Sequence, residues 1–209
     1  MTPGLRAVYD ELVARAVSER WQAETARLRG ALSAQCGAFD RDHPAAATRD
    51  AASMEYALVE GGLAQAIASG LEDPGERGEA AEIAGAVGGL LTFSEFEGLL
   101  LADDLWTGAS WWIAPHDDVG RDVRLQLPDS PVAQCHVVVQ ETGCVLLPGV
   151  TFHPADALEP IRQTLARARA LGLTSQQVRL ALLKMEHSWQ TLSRVKVGYA
   201  YRPEALRSA

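Results

Sequence analysis

Histidine and aspartate side chains cluster at one point of the sequence, where they could coordinate a divalent metal ion. His116, Asp117 and Asp118 are consecutive, and His136 follows on a segment that we predict to be a nearby strand. Imidazole and carboxylate groups are common zinc ligands, and three such ligands with a water are typical of hydrolases. The ligand spacing matches no recognised motif, and Asp-Asp is also common in turns. A metal-dependent hydrolase is therefore one hypothesis for the function.

Two consecutive tryptophans, Trp111 and Trp112, indicate a binding surface rather than a catalytic site. Neighbouring residues of a strand point to opposite faces, so one ring can enter the core while the other lies on the opposite side. The second ring must then be covered by a helix of the same chain, by a partner chain or by a ligand. Cover by helices of the same chain is the ordinary outcome, and the frequency of aromatic side chains at the centres of protein interfaces keeps contact with a partner or a ligand open.

The C-terminal tail alternates basic and aromatic residues. It contains Arg194, Lys196, Tyr199, Tyr201 and Arg202, side chains that could contact phosphates and stack on bases. The formal net charge of −8 opposes tight nucleic-acid binding, because that affinity rests on the neutralisation of phosphates. The alternative is an arm that packs on the acidic half of its own chain or on a second subunit.

Other catalytic patterns are incomplete. Glu79 and Glu82 form an E-x-x-E step, which places two carboxylates on one helix face. Helical nucleotide pyrophosphatases combine that step with a second acidic pair, which this sequence does not supply. A solvated acidic face is the better interpretation. The serines lack a nucleophile-elbow context, and no glycine-rich phosphate loop follows a predicted strand.

The hydrophobic periodicity predicts the elements that must position these residues. Helices are expected at 4–35 and 48–71, from 76 to the glycines near 88, and at 92–104. A change to alternating residues predicts strands at 110–114, 122–127, 132–140 and 144–147. Two helices, at about 154–171 and 174–192, are expected to end the chain before an extended tail.

These elements predict an α+β fold with a helical N-terminal half, a three- to four-stranded antiparallel meander and two C-terminal helices. The connections between the predicted strands are too short for parallel crossovers. We divide the chain into an acidic helical region, 1–106, and a region of meander and C-terminal helices, 107–209. No connection is long enough to be an obvious linker, so one domain is expected overall.

Composition and cysteine content indicate a cytoplasmic globular protein. Of the 209 residues 47% are hydrophobic and 22% charged, and no apolar run approaches the length of a membrane span. The first residues lack the pattern of a secretory signal. Cys36, Cys135 and Cys144 are too few for a disulfide framework, and we expect buried, reduced thiols. In the hairpin we place Gln140 opposite Cys144, which separates Cys135 and Cys144 too widely for a bridge.

Charge is segregated along the chain. Residues 1–105 carry a net charge of −10, residues 106–209 carry +2, and residues 157–209 alone carry +6. Such asymmetry can steer a partner or dock one part of the chain on another. Because arginine outnumbers lysine 17 to 2, as in proteins from GC-rich genomes, excess arginine alone does not indicate nucleic-acid binding.

The interpretation that the residues favour is a non-enzymatic interaction protein that forms a homodimer and binds another protein, with no cofactor and no membrane. Its expected contact residues are Trp111, Trp112, Arg194, Lys196, Tyr199, Tyr201 and Arg202. Two alternatives remain open: the metal-dependent hydrolase, and a nucleic-acid accessory protein that binds through the tail.

Overall fold

The structure is a computed structural model, and it describes residues 1–115, 117–126, 131–141, 143–192 and 194–208. The α-helices are α1 (Pro3–Ala16), α2 (Gln22–Cys36), α3 (Ala46–Leu58), α4 (Leu63–Ala68), α5 (Pro74–Ala84), α6 (Asp118–Gln126), α7 (Leu158–Ala170), α8 (Ser175–Thr191) and α9 (Val197–Ala200). The strands are β1 (Val87–Phe96), β2 (Leu99–Asp104), β3 (Ser110–Trp112), β4 (Val132–Gln140), β5 (Gly143–Leu146) and β6 (Thr151–His153). Two short 3-10 helices cover Ala155–Ala157 and Pro203–Ser208.

The predicted α+β class is confirmed. Helices α1–α5 precede an antiparallel sheet, and α7 and α8 follow it. The spacing of Thr174 and Gln177 predicts a capping box at the start of α8, and the structure confirms it: each side chain accepts a hydrogen bond from the other residue's backbone N–H. In the part of the chain that the structure describes, no helix is long and apolar enough to cross a bilayer.

The sheet curls until its two ends meet. Its strands follow the order β3-β2-β1-β4-β5, with β6 paired beside β4. A parallel bridge between Ile113 and Cys144 then connects the end of β3 to β5. Buried residues on the inner face, including Leu91, Leu100 and Leu146, form one apolar cluster that also contains Val123 of α6. The sheet is therefore a small barrel with α6 packed against its interior residues.

Helices cover most of the outer face of this barrel. Val138 and Val145 pack against the N-terminal helices, in the cluster that includes Leu12 of α1. Leu90 and Val132 pack against the C-terminal helices. Among the described residues no helix covers the far end of the β1–β2 hairpin, and side chains there remain exposed.

The prediction of a helix at 92–104 is wrong, because this segment forms the β1–β2 hairpin. Phe96 pairs with Leu99, so Glu97 and Gly98 alone form the turn. Both turn residues have positive φ, 50° and 77°, as a type I′ hairpin turn requires. A two-residue turn ending in glycine is the signal that would have indicated a hairpin.

Three further local predictions differ from the structure. Residues 122–126 belong to α6 and not to a strand, since Val119 and Val123, one helical turn apart, both contact the barrel interior. Residues 4–35 form two helices, separated by a turn at 17–21. The tail contains the short helix α9 and a 3-10 turn instead of extended chain.

The glycine pair at 61–62, inside the helix predicted at 48–71, is unfavourable in a helix and predicts either a kink or a close helix contact. Gly62 has a left-handed φ of 72° and separates α3 from α4. A Cβ on Gly61 would lie 2.7 Å from a methyl group of Leu28, so the helices approach closely here. Both expected roles of the pair are present.

The sheet contains strands from both sides of position 106, where we placed a boundary. β2 pairs with β3, and β1 pairs with β4 over six residue pairs. The acidic N-terminal region thus supplies two strands of the barrel in addition to its helices.

Candidate functional site

The two tryptophans lie on opposite faces of β3, as their adjacency predicts. Trp111 packs with the apolar cluster inside the barrel. Trp112 points outward with 42% of its surface exposed. Its ring centroid lies 6.4 Å from that of Phe96, which is 59% exposed, and Leu99 beside them is 38% exposed. We call Phe96, Leu99 and Trp112 the aromatic patch.

Acidic residues surround the aromatic patch. Residues 87–104 contain four carboxylates and no lysine or arginine. Glu95 and Glu97 are exposed, while Asp104 is buried and accepts hydrogen bonds from backbone N–H groups, among them that of Leu90. Arg124 of α6 lies 3.8 Å from Glu95 and donates a hydrogen bond to the Gly98 carbonyl. The hairpin therefore presents apolar side chains between negative charges.

The basic side chains of the tail are exposed, but one of its aromatic residues is not. Arg194, Lys196 and Arg202 are at the surface. Arg202 stacks over the ring of Tyr199, 4.4 Å from its centroid, and Tyr199 is largely exposed. Tyr201 was expected to contact a partner; instead it is fully buried and bonded to His153, so its ring cannot reach another molecule.

The expected metal ligands do not come together. Asp117 is buried and accepts hydrogen bonds from the Met1 amine and the Leu146 N–H, both at 2.9 Å. Asp118 also accepts from the Met1 amine, at 3.3 Å. His136 binds other carboxylates, and His116 lies outside the described residues. Within the described ranges, no three His, Cys, Asp or Glu side chains could hold a metal ion together.

His136 instead lies at the centre of a buried ionic network on the outer face of β4. Its Nδ1 lies 3.1 Å from Glu55 and its Nε2 lies 2.7 Å from Glu60. Arg179 donates to the second oxygen of Glu60 at 2.6 Å, and the Tyr9 hydroxyl donates to Glu55. These four elements, α1, α3, α8 and the sheet, are thus joined by charge-assisted hydrogen bonds.

The network holds His136 in its charged form. Burial lowers its pKa, but the hydrogen bonds and charges of Glu55 and Glu60 outweigh burial and raise the pKa to about 9. Burial likewise opposes ionisation of Glu60, yet His136 and Arg179 lower that pKa to about 2. Both imidazole nitrogens then donate hydrogen bonds, so neither can act as a base. The adjoining cavity, about 30 Å³, has room for about two water molecules.

A second buried polar cluster lies between α3, α8 and β6. Arg49 of α3 forms an ion pair with Glu186 of α8, and both are almost fully buried. His153 of β6 bonds to the Tyr201 hydroxyl at 2.9 Å. Burial, with the nearby Arg49 charge, lowers the pKa of His153 to about 3. This histidine is therefore neutral, in contrast to His136.

The three cysteines are buried and free, as the sequence predicts. The predicted hairpin register is shifted by one residue: Cys144 pairs with Val139 and not with Gln140, and Cys135 faces Gly89 of β1. Burial raises the pKa of Cys36 to about 11 and that of Cys144 to about 12, and it raises the pKa of Cys135 strongly. Protonated thiols of this kind are poor nucleophiles.

The alternation of β4 predicts that His136 lies on the face opposite Cys135 and Val137, but it does not indicate the partners of His136. Glu55 and Glu60 lie 81 and 76 residues away along the chain, and nothing local to either segment indicates the pairing. Gly88 was a usable signal: it lies opposite His136, and a Cβ there would lie 2.1 Å from the Arg179 guanidinium.

No protein-family model, curated protein or solved structure matches this chain.

Proposed function

We propose that this protein is a non-enzymatic interaction protein that self-associates, through the aromatic patch, into a homodimer. The observation that carries the proposal is the exposure of Phe96 and Trp112 side by side on a part of the sheet that none of the described helices covers. Aromatic side chains dominate the energetics of protein interfaces when they become buried at the centre. The patch is small, and its carboxylate surroundings resemble the polar rim of such interfaces.

Burial of the patch supplies part of the binding energy. Full burial of one large apolar side chain contributes about 1.5–3 kcal/mol, and the three patch residues are already about half covered. Covering the remainder therefore contributes roughly 3 kcal/mol. Association costs at least about 4 kcal/mol of translational and rotational freedom, so further contacts must accompany the patch. The segregated charges of the chain are candidates for those contacts.

The proposed location is the cytoplasm. Three unbridged thiols are compatible with a reducing compartment, in which disulfides rarely form. A further protein partner would use the same acidic, aromatic surface, so we expect any such partner to be basic around an apolar centre.

Sedimentation velocity over a range of protein concentrations tests the proposal. We expect the wild-type mass to rise from monomer to dimer, and Trp112→Ser to shift that transition to at least tenfold higher concentration. Leu171→Ser is the matched control, because Leu171 is 46% exposed at the end of α7, away from the patch. A wild-type protein that stays monomeric throughout, or equal effects of the two substitutions, would refute the proposal.

A further inference from the structure

A groove between α8 and the C-terminal segment has the chemistry to receive an apolar, acidic segment. Its volume is about 190 Å³. The apolar lining includes Ala181, Met185, Leu192, Val195, Tyr199 and Ala205. Leu192 and Tyr199 are more than half exposed, so the apolar surface is open to a ligand. We call this cleft the C-terminal groove.

Positive charge surrounds the C-terminal groove. Lys184 and Arg202 line it, and Lys196 lies on the chain between the lining residues Val195 and Tyr199. From 184 to 202 the one acidic residue is Glu186, which is buried against Arg49. The next carboxylate, Glu204, follows Arg202 by two residues and leaves the positive charge in excess. An incoming segment with carboxylates beside apolar side chains would match this surface.

The β1–β2 hairpin supplies such a segment. Its tip, residues 95–99, reads Glu-Phe-Glu-Gly-Leu. Phe96 and Leu99 are a directly opposed cross-strand pair, so their side chains project from the same side of the tip. Glu95 and Glu97 flank the phenylalanine and are exposed; Glu95 also lies 3.8 Å from Arg124, a surface pair that solvent screens. The tip thus combines an apolar pair with two negative charges in five residues.

We propose that the hairpin tip of one copy docks in the C-terminal groove of a second copy. This assignment rests on the self-association proposed above and names its receiving surface. Phe96 and Leu99 fill the apolar floor, and Glu95 and Glu97 meet the charges of Lys196 and Arg202. The opposite charges of the N-terminal and C-terminal parts of the chain then become the two sides of one interface.

The contact joins two different surfaces, the hairpin tip of one copy and the C-terminal groove of the other. Each copy carries one tip and one groove, so a two-fold axis allows two identical contacts that close a dimer. Two contacts double the buried apolar area and the number of charge pairs. This supplies the binding energy that the aromatic patch alone lacks.

A charge-swap experiment tests the arrangement. One variant carries Glu95→Lys and Glu97→Lys, and the other carries Lys196→Glu and Arg202→Glu. Each variant alone opposes like charges at both contacts, and we expect association at least tenfold weaker than wild type. When the two variants are mixed, both contacts become complementary, so dimers of one copy of each should reappear in sedimentation velocity. Circular dichroism melts of each variant confirm that it is folded.

The outcomes separate this inference from the general proposal. If Trp112→Ser weakens association but the groove variant dimerises like wild type, self-association stands and the groove is not the receiving surface. The docking of tip into groove is refuted if the Glu95→Lys/Glu97→Lys variant and the Lys196→Glu/Arg202→Glu variant both dimerise like wild type. It is also refuted if the mixture of these two variants forms no mixed dimer.

Discussion

Two buried histidines with opposite protonation states should give the protein a stability maximum near pH 6.5. His136 is held protonated, with a pKa of about 9, and His153 is held neutral, with a pKa of about 3. The unfolded chain titrates both near 6.5. Folding therefore depends on pH on both sides of that value, and a different histidine dominates each limb.

The sign of each limb follows from proton binding. Between pH 6.5 and 9 the folded state keeps the His136 proton that the unfolded state has lost, so stability falls as pH rises. Between pH 6.5 and 3 the unfolded state takes up a His153 proton that the folded state refuses, so stability falls as pH drops. Below about 4.5 the lowered pKa of Glu60 adds to the acid loss.

The size of each limb follows from the shift. One pKa unit corresponds to about 1.4 kcal/mol, so the alkaline limb amounts to about 3 kcal/mol and the acid limb to about 5 kcal/mol. Each is a large share of the roughly 5–15 kcal/mol that stabilises a typical domain. The measurement is urea unfolding, followed by tryptophan fluorescence, at closely spaced pH values from 5 to about 9.

Two variants serve as controls for each other. His136→Gln should be less stable at pH 6.5, because Glu55 loses its cation and Glu60 keeps only Arg179, and its alkaline limb should be flat up to about pH 8, below the pH at which the cysteines of the unfolded chain ionise. His153→Gln should keep the alkaline limb and lose the acid one. If the stability of wild type does not fall between pH 6.5 and 9, or if His136→Gln runs parallel to wild type there, the charged-histidine network is refuted.

Three further substitutions and treatments test the local geometry. Glu97→Asn should raise the free energy of unfolding by about 0.5–1 kcal/mol in urea titrations, because asparagine tolerates positive φ; Glu97→Ala should not. Gly88→Ala should lower the free energy of unfolding by about 2 kcal/mol, because the new methyl group displaces Arg179 from Glu60. Gly78→Ala on α5 is the control: its methyl group meets open space and should be stabilising. Iodoacetamide followed by mass spectrometry should find all three buried thiols unmodified in the folded protein and modified in urea; a fast-reacting thiol would contradict their burial.

Local patterns predicted the parts of the fold that local physics decides. The alternation of β4, the capping box of α8 and the opposed tryptophans of β3 each depend on a few neighbouring residues. β1 was misassigned because its apolar residues are compatible with either period, and its pairing with β4 spans about 45 residues of sequence. Residues 122–126 of α6 are predicted as a strand instead of a helix, because five residues are too few to distinguish the helical period from the strand period.

The same distinction applies to the candidate sites: local strand geometry predicts some of their residues, and tertiary packing determines the others. An exposed tryptophan follows from strand geometry, and so Trp112 was expected. The partners of His136 come from α3 and the turn after it, 81 and 76 residues away, and the burial of Tyr201 depends on how the tail folds back onto α7 and α8. Such contacts depend on tertiary packing, and the residues of one segment do not predict them.

Closure of the barrel has a consequence for how the chain folds during synthesis. The β1–β2 hairpin leaves the ribosome before β4, and about 30 residues separate the two, which take roughly one to six seconds to translate. For that time the free edge of β1 and its apolar side chains have no partner strand, and unpaired edges of this kind promote aggregation. The acidic residues of the hairpin repel other nascent copies over the same interval. Negative charge at the tip thus protects the unfinished chain before the Ile113–Cys144 bridge closes the sheet.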